Sequence, residues 1–232
     1  MVQKIVYYVW VLLLTALMVA CSPEEPEIKN SPTPPPKQNL LRVGFIPSEN
    51  MQEIQQHAQP LIDMLSQRLG MEVQPFVATD YTGIVEAFRA KKLDVGFLTP
   101  ASYVMAKSEA NVKVLLKAQR GTKSHYYAVI FARKDSGINT LQDFKGKVFA
   151  FGDNLSTAGH IFPRKLFKNA GINPASDFEN IIYAGGHDAT ILAVLNKKVA
   201  GGATYANDTE GKDTAWIQMS QRNVLKPQEA SE

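Results

Sequence analysis

Cysteine is almost missing from this chain: Cys21 is the only one in 232 residues, which excludes an intrachain disulfide and any cysteine-based zinc cluster. An excess of one charge is missing too. Lys and Arg number 25 against 22 Asp and Glu, a formal net charge of +3 dispersed without a basic block, so nothing argues for nucleic acid as a partner. The signatures His-Glu-x-x-His, Cys-x-x-Cys, Gly-x-Gly-x-x-Gly and the phosphate-loop lysine motif are all lacking, so no metal, redox or nucleotide cofactor is expected. An esterase would need Gly-x-Ser-x-Gly around its nucleophile. Ser156 is followed four residues later by His160, but Asn154 stands where the first glycine belongs, and His160 lies in the wrong element for a triad base. A hydrolase is therefore the weakest of the function classes, and stability must come from a core.

What is present begins with an address. Lys4 precedes an apolar run from Ile5 to Ala20 that is short for a membrane span and ends in Leu17-Met18-Val19-Ala20-Cys21. This reads as a bacterial lipoprotein signal over residues 1–21, with small Ala20 before the cleavage point and the Cys21 thiol carrying the lipid anchor. Residues 22–38, rich in proline and charge and free of aromatics, cannot bury enough apolar area to offset ordering entropy. They are expected to form an extended tether, which places the folded part outside the cytoplasm, lipid-anchored in the cell envelope.

From Asn39 onward strand and helix patterns alternate. Leu41–Ile46, Met71–Val77, Leu93–Leu98, Val112–Lys117 and Tyr126–Arg133 read as strands, with helices over Met51–Leu69 and Tyr81–Ala90 and a further helix start at Thr99-Pro100. A short helix at Thr140–Phe144, strands at Lys147–Phe151, Ile181–Tyr183 and Val199–Thr204, and helices at Ile161–Ala170 and Asp188–Asn196 make a second unit. The fold class is α/β in two lobes, 39–125 and 126–226, followed by a polar tail over 227–232. Ligands of such sheets sit beyond the carboxyl ends of the strands.

One stretch carries more chemistry than the rest. Asp153-Asn154-Leu155-Ser156-Thr157-Ala158-Gly159-His160 joins a strand to a helix through a hydroxyl-rich turn. First-turn N–H groups and the positive end of the helix dipole favour an anion there, although Ser and Thr before a helix also serve as plain N-caps. Thr99-Pro100-Ala101-Ser102 is a second turn of the same kind, able to face the first across a cleft.

Read together, several segments resemble the phosphate, phosphite and phosphonate substrate-binding proteins of ABC importers. They are Arg42 to Pro47, Asp80-Tyr81 with Val85 to Phe88, Leu93 to Leu98, Tyr126 to Ile130, Ser156 to Gly159 and Ala184 to Asp188, and the resemblance runs from Leu40 to Lys226. It implies a type II periplasmic-binding-protein fold whose lobes close on a small phosphorus oxyanion, with an ABC permease and ATPase as partners. It also implies the site: Ser156, Thr157 and the Ala158 N–H as donors to the anion oxygens, where Ala158 replaces a serine common in the family. Tyr81 and Tyr126 match cleft tyrosines, His187 matches a histidine that a bound dianion would protonate, and Thr99 begins the opposing helix. After the last strand Asn207, Asp208 and Glu210 each fit an acceptor position, and Tyr205 with Asp208 is the expected pair. A lipoprotein that senses such a ligand for a membrane kinase is the alternative. Family members usually continue past Lys226 to return to the first lobe, so the chain is expected to be truncated, with an incomplete first lobe, an open sheet edge and weaker stability and binding.

Overall fold

Residues 39–120, 123–210 and 212–221 are described by a computed structural model, with side chains up to Met219. The segments read as signal (1–21, with Cys21), tether (22–38) and polar tail (227–232) lie outside the described residues. The first sheet holds three parallel strands in the order β2-β1-β3: β1 is Leu40–Phe45, β2 Glu72–Val77 and β3 Val95–Phe97. Helix α1 (Met51–Leu69) joins β1 to β2, α2 (Tyr81–Arg89) joins β2 to β3, and α3 (Pro100–Ala110) follows β3.

The second sheet has four strands in the order β4-β7-β5-β6, with β4 at Tyr127–Ala132, β5 at Val148–Phe151, β6 at Asn180–Tyr183 and β7 at Gly201–Ala206. β5 runs parallel to β6 and β7, and β4 runs antiparallel to β7. A π-helical turn, Thr157–Ile161, leads into α4 (Phe162–Asn169); α5 (Pro174–Asp177) and α6 (His187–Leu195) follow, and α7 (Ala215–Gln221) ends the described chain. The described residues thus hold two parallel-rich α/β sheets, one formed within Leu40–Phe97 and the other within Tyr127–Ala206.

The three helices of the first lobe are each fixed at their start by a side chain. Asn50 accepts from the N–H groups of Gln52 (2.9 Å) and Glu53 (3.3 Å) to start α1, and Asp80 accepts from Gly83 (2.6 Å) to start α2. Thr99 and Ser102 cap α3 reciprocally, with Pro100 in the first turn where a missing N–H costs nothing. The first lobe buries Val43, Ile62 and Val73 on one face of its sheet and Ile84, Val85 and Leu93 on the other. The second is built on phenylalanine: Phe144, Phe149, Phe151, Phe167 and Phe178 are all buried in one cluster.

One expected strand is absent. Val112–Lys117 has strand-forming residues, yet the chain is irregular there, and Val114, Leu115 and Leu116 are 57, 74 and 91 % exposed. Propensity alone does not make a strand, because the ladder needs a neighbour: β1 is already flanked on both sides, and the segment pairs with neither outer strand. Smaller corrections fall at ends. The last strand begins at Gly201 rather than Val199, and the helix read from Ile161 starts as a π-turn at Thr157.

Candidate anion site at the facing strand ends

Both sheets direct their carboxyl ends toward one another, and the candidate residues collect there. Ser48 and Glu49 follow β1, Tyr81 follows β2, Thr99 β3, Ser156 and Thr157 β5, and His187 β6; Tyr205 lies near the end of β7 with Asn207 just beyond it, and Tyr126 immediately precedes the antiparallel β4. Contacts between the lobes are direct. The Tyr81 N–H donates to Asp153 Oδ2 (3.2 Å), the Ala101 N–H to Thr157 Oγ1 (3.0 Å), Thr99 Oγ1 to the Leu155 carbonyl (3.2 Å), and the His187 N–H to the Ser48 carbonyl (2.8 Å). Gly186 permits the last of these, since a Cβ there would stand 3.1 Å from the Ser48 carbonyl oxygen.

The Ser156 turn is closed from within. Ser156 Oγ accepts from the Gly159 N–H (3.0 Å), and the Ser156 carbonyl accepts from His160 and Ile161 (both 3.0 Å). The N–H groups of Thr157 and Ala158 therefore precede the first intrahelical bonds and point out of the turn as its leading donors. Gly159 is obligatory at its position: a Cβ would fall 2.8 Å from Ser156 Oγ and 3.3 Å from the Gly152 Cα. Ser156, Thr157 and Ala158 are all buried, which removes competing water from the donors. The α3 N-terminus meets this turn head-on through the Ala101 to Thr157 bond, so two positive helix ends converge.

The aromatic and imidazole groups around the turn are uncharged. Tyr81 is 1 % exposed, and burial, reinforced by the negative charge of Asp153, pushes its phenol well above the usual tyrosine range, with the Ser156 hydroxyl pulling modestly the other way. Tyr126 is raised as well, by burial first, against the Thr157 hydroxyl and the guanidinium of Arg120, which lies 5.7 Å from its ring centroid. Both phenols are therefore O–H donors at neutral pH. Burial drives the His187 imidazole down to about 4. That burial holds the ring toward its neutral form, with Nδ1 3.0 Å from Thr204 Oγ1 and the ring edge-on to Tyr205 at 4.8 Å.

Two expected side chains are engaged elsewhere. The Thr99 hydroxyl is held by Ser102 and the Leu155 carbonyl, so the helix it starts, and not its side chain, is what faces the turn. Asp208 Oδ1 accepts from the Glu210 (2.9 Å) and Lys212 (3.1 Å) N–H groups and organises its own loop. It borders a hollow of about 350 Å³ beside Tyr127, Thr209 and Trp216, whose lining includes neither Ser156 nor His187. Asn207 is the better-buried acceptor of the three alternatives, at 7 % exposure, with Nδ2 donating to Asp213 Oδ2 (3.1 Å) and Oδ1 left without a partner. Tyr205 Oη lies 2.6 Å from Gln218 Oε1 and 3.3 Å from Glu49 Oε1, so its proton serves the nearer oxygen.

Sequence reading missed Asp153, whose carboxylate touches both lobes, and the approach of Glu49, Glu53 and Asp188, whose oxygens lie within 4.8 Å of one another. Among the described residues that trio is the group spaced for a cation. Asp153 sat inside the motif and could have been suspected from its position two residues before Leu155, where Asx turns form. The trio joins residues far apart in sequence and left no local signal.

Comparison with known proteins agrees with this geometry. Residues 43–226 match the family model described as the ABC transporter, phosphonate, periplasmic substrate-binding protein. The phosphonates-binding periplasmic protein of Escherichia coli K12 is 33 % identical over 183 residues, covering 76 % of this chain and 53 % of that protein. The phosphate-import protein PhnD of Mycolicibacterium smegmatis is 32 % identical over 197 residues, covering 81 % and 60 %. The crystal structure of PhnD1 from Prochlorococcus marinus in complex with methylphosphonate superposes with a TM-score of 0.69 at 26 % identity, over 84 % of this chain and 70 % of that one, and gives the same type II periplasmic-binding-protein fold. The chain spans about half of the E. coli protein and three fifths of the mycobacterial one. With the family model matched from Val43 to Lys226, the chain belongs to the phosphonate-binding periplasmic substrate-binding family of ABC transporters.

Proposed function

We propose that this protein is an extracytoplasmic lipoprotein, anchored through Cys21, that captures a small phosphorus oxyanion between its lobes and delivers it to an ABC permease and its ATPase. The observation that carries the reading is the meeting of two capped helix starts, Ser156 to Gly159 and Thr99 to Ser102, through the 3.0 Å contact from the Ala101 N–H to Thr157 Oγ1. Two dipoles converging on a buried turn favour an anion without needing a cationic side chain. Tyr81 and Tyr126 add phenol donors, and the Thr157 and Ala158 N–H groups provide the directional bonds. The same groups suit holding a ligand and not attacking it: among the described residues Ser156 Oγ faces the Gly159 N–H and the Tyr81 phenol, neither of which is a general base.

A thermal melt with phosphate, phosphite, methylphosphonate or 2-aminoethylphosphonate tests the proposal. A ligand at about a hundredfold excess over its dissociation constant stabilises by about 2.7 kcal/mol, an unmistakable shift. The expected result is a shift with at least one of the four and recovery of that compound unchanged. A folded sample that responds to none of them would refute the binding role.

A further inference from the structure

We propose that His160 is a positioning residue for the anion turn: as the Nδ1–H tautomer it clamps the Asn154 carbonyl and so fixes the peptide planes that precede Ser156. His160 lies four residues after Ser156, inside the π-turn, and is 6 % exposed. Its Nδ1 is 2.8 Å from the Asn154 carbonyl oxygen, which can only accept, so Nδ1 must carry the proton. Nε2 is then the acceptor and faces the Tyr183 hydroxyl at 3.4 Å. The ring is boxed edge-on between Phe151 (5.0 Å) and Tyr183 (5.2 Å), both on strands of the second sheet, so the clamp is anchored in the rigid core and not in the loop it holds.

The consequence for the site follows bond by bond. With the Asn154 carbonyl turned down onto the imidazole, the next N–H, of Leu155, points back to Asp153 Oδ1 (2.7 Å). The Leu155 carbonyl then faces the first lobe and accepts from Thr99 Oγ1. Ser156 is delivered with its hydroxyl over the Gly159 N–H and its helix donors aimed outward. A π-turn, which is looser than an α-turn, needs such an external support to keep its leading N–H groups in one orientation. His160 touches no ligand in this scheme. It acts through the Asn154 peptide.

The inference rests on the anion-binding reading, and the test separates the two. Three variants are compared by titration with whichever of the four anions shifts the wild-type melt. His160→Asn places an amide N–H near the Nδ1 position, His160→Gln places one near Nε2, and His160→Leu fills space with no donor. All three lose the aromatic box and are expected to melt lower without ligand. Affinity is expected to divide them: His160→Asn within about threefold of wild type, and His160→Gln and His160→Leu weaker by about tenfold, the loss for one missing buried hydrogen bond. Equal affinity in all three variants would overturn the clamp. A second readout needs no ligand: nitrogen-detected NMR of the imidazole is expected to show the Nδ1–H tautomer with a slowly exchanging proton, and an Nε2–H tautomer would also overturn it. A wild-type protein that binds none of the anions would refute the functional reading instead, and the tautomer would then decide the clamp alone.

Discussion

In the second lobe, β5 presses Phe149 and Phe151 against Phe144, Phe167 and Phe178, and every one of these rings is buried. In the first lobe, Phe97 on the outer strand β3 stacks on Phe45 at 4.9 Å yet stays 49 % exposed, and Leu115 and Leu116 stand further out still. Both lobes are built from strands followed by capped helices, so the difference lies in how many neighbours each strand has. The four-stranded sheet has two inner strands, β7 and β5, while the three-stranded sheet has β1 alone. The more fully packed lobe therefore carries the Ser156 turn, and the less covered one meets it through the contacts at Tyr81, Thr99 and Ala101.

The sharpest way to break this comparison is to hollow out the rigid side. Phe149→Ala is expected to destabilise by about 3–5 kcal/mol, against less than about 1.5 kcal/mol for the half-exposed Phe97→Ala. Urea unfolding of the two variants measures both, and similar losses would mean that the lobes are equally packed.

Acid offers a second lever. His187 is held neutral in the folded state down to about pH 4, while in the unfolded chain it titrates near 6.5. Between those values the unfolded state binds the extra proton, so stability is full above about pH 6.5 and falls as pH drops toward 4, by about 3 kcal/mol over the window. Urea titrations across that range should show the slope in wild type and a flatter profile in His187→Gln. Identical profiles would show that burial of the ring does not persist in solution.

Smaller effects probe the turn and the open side. Gly159→Ala forces a methyl against Ser156 Oγ and displaces the cap, costing about 1–2 kcal/mol of stability and weakening anion binding, both readable from melts with and without ligand. At the bottom of the scale, Leu116→Ser should change stability by no more than about 0.5 kcal/mol, because the side chain is 91 % exposed. It is expected to reduce self-association measured by light scattering. A large loss of stability would mean that this leucine is covered in solution.

Legibility in the sequence followed locality. Helices announced themselves through local pattern, the apolar spacing of Met51–Leu69 and the Thr99-Pro100 start among them, and the Ser156 turn could be picked out because strand, hydroxyls and helix are contiguous. Val112–Lys117 misled for the complementary reason: its residues favour a strand, but pairing is decided by distant chain. The burial of His187 was equally out of reach, since it depends on Thr204, Tyr205 and the lobe contact at Ser48. Asp208 and Asn207 are adjacent and similar in chemistry, and only the loop's own N–H groups, arriving from Glu210 and Lys212, distinguish their tasks.

Asp153 gives one carboxylate oxygen to the Leu155 N–H of its own turn and the other to the Tyr81 N–H across the cleft. One carboxylate therefore ties the peptide ahead of Ser156 to the start of α2, so the turn and the first lobe share a single joint.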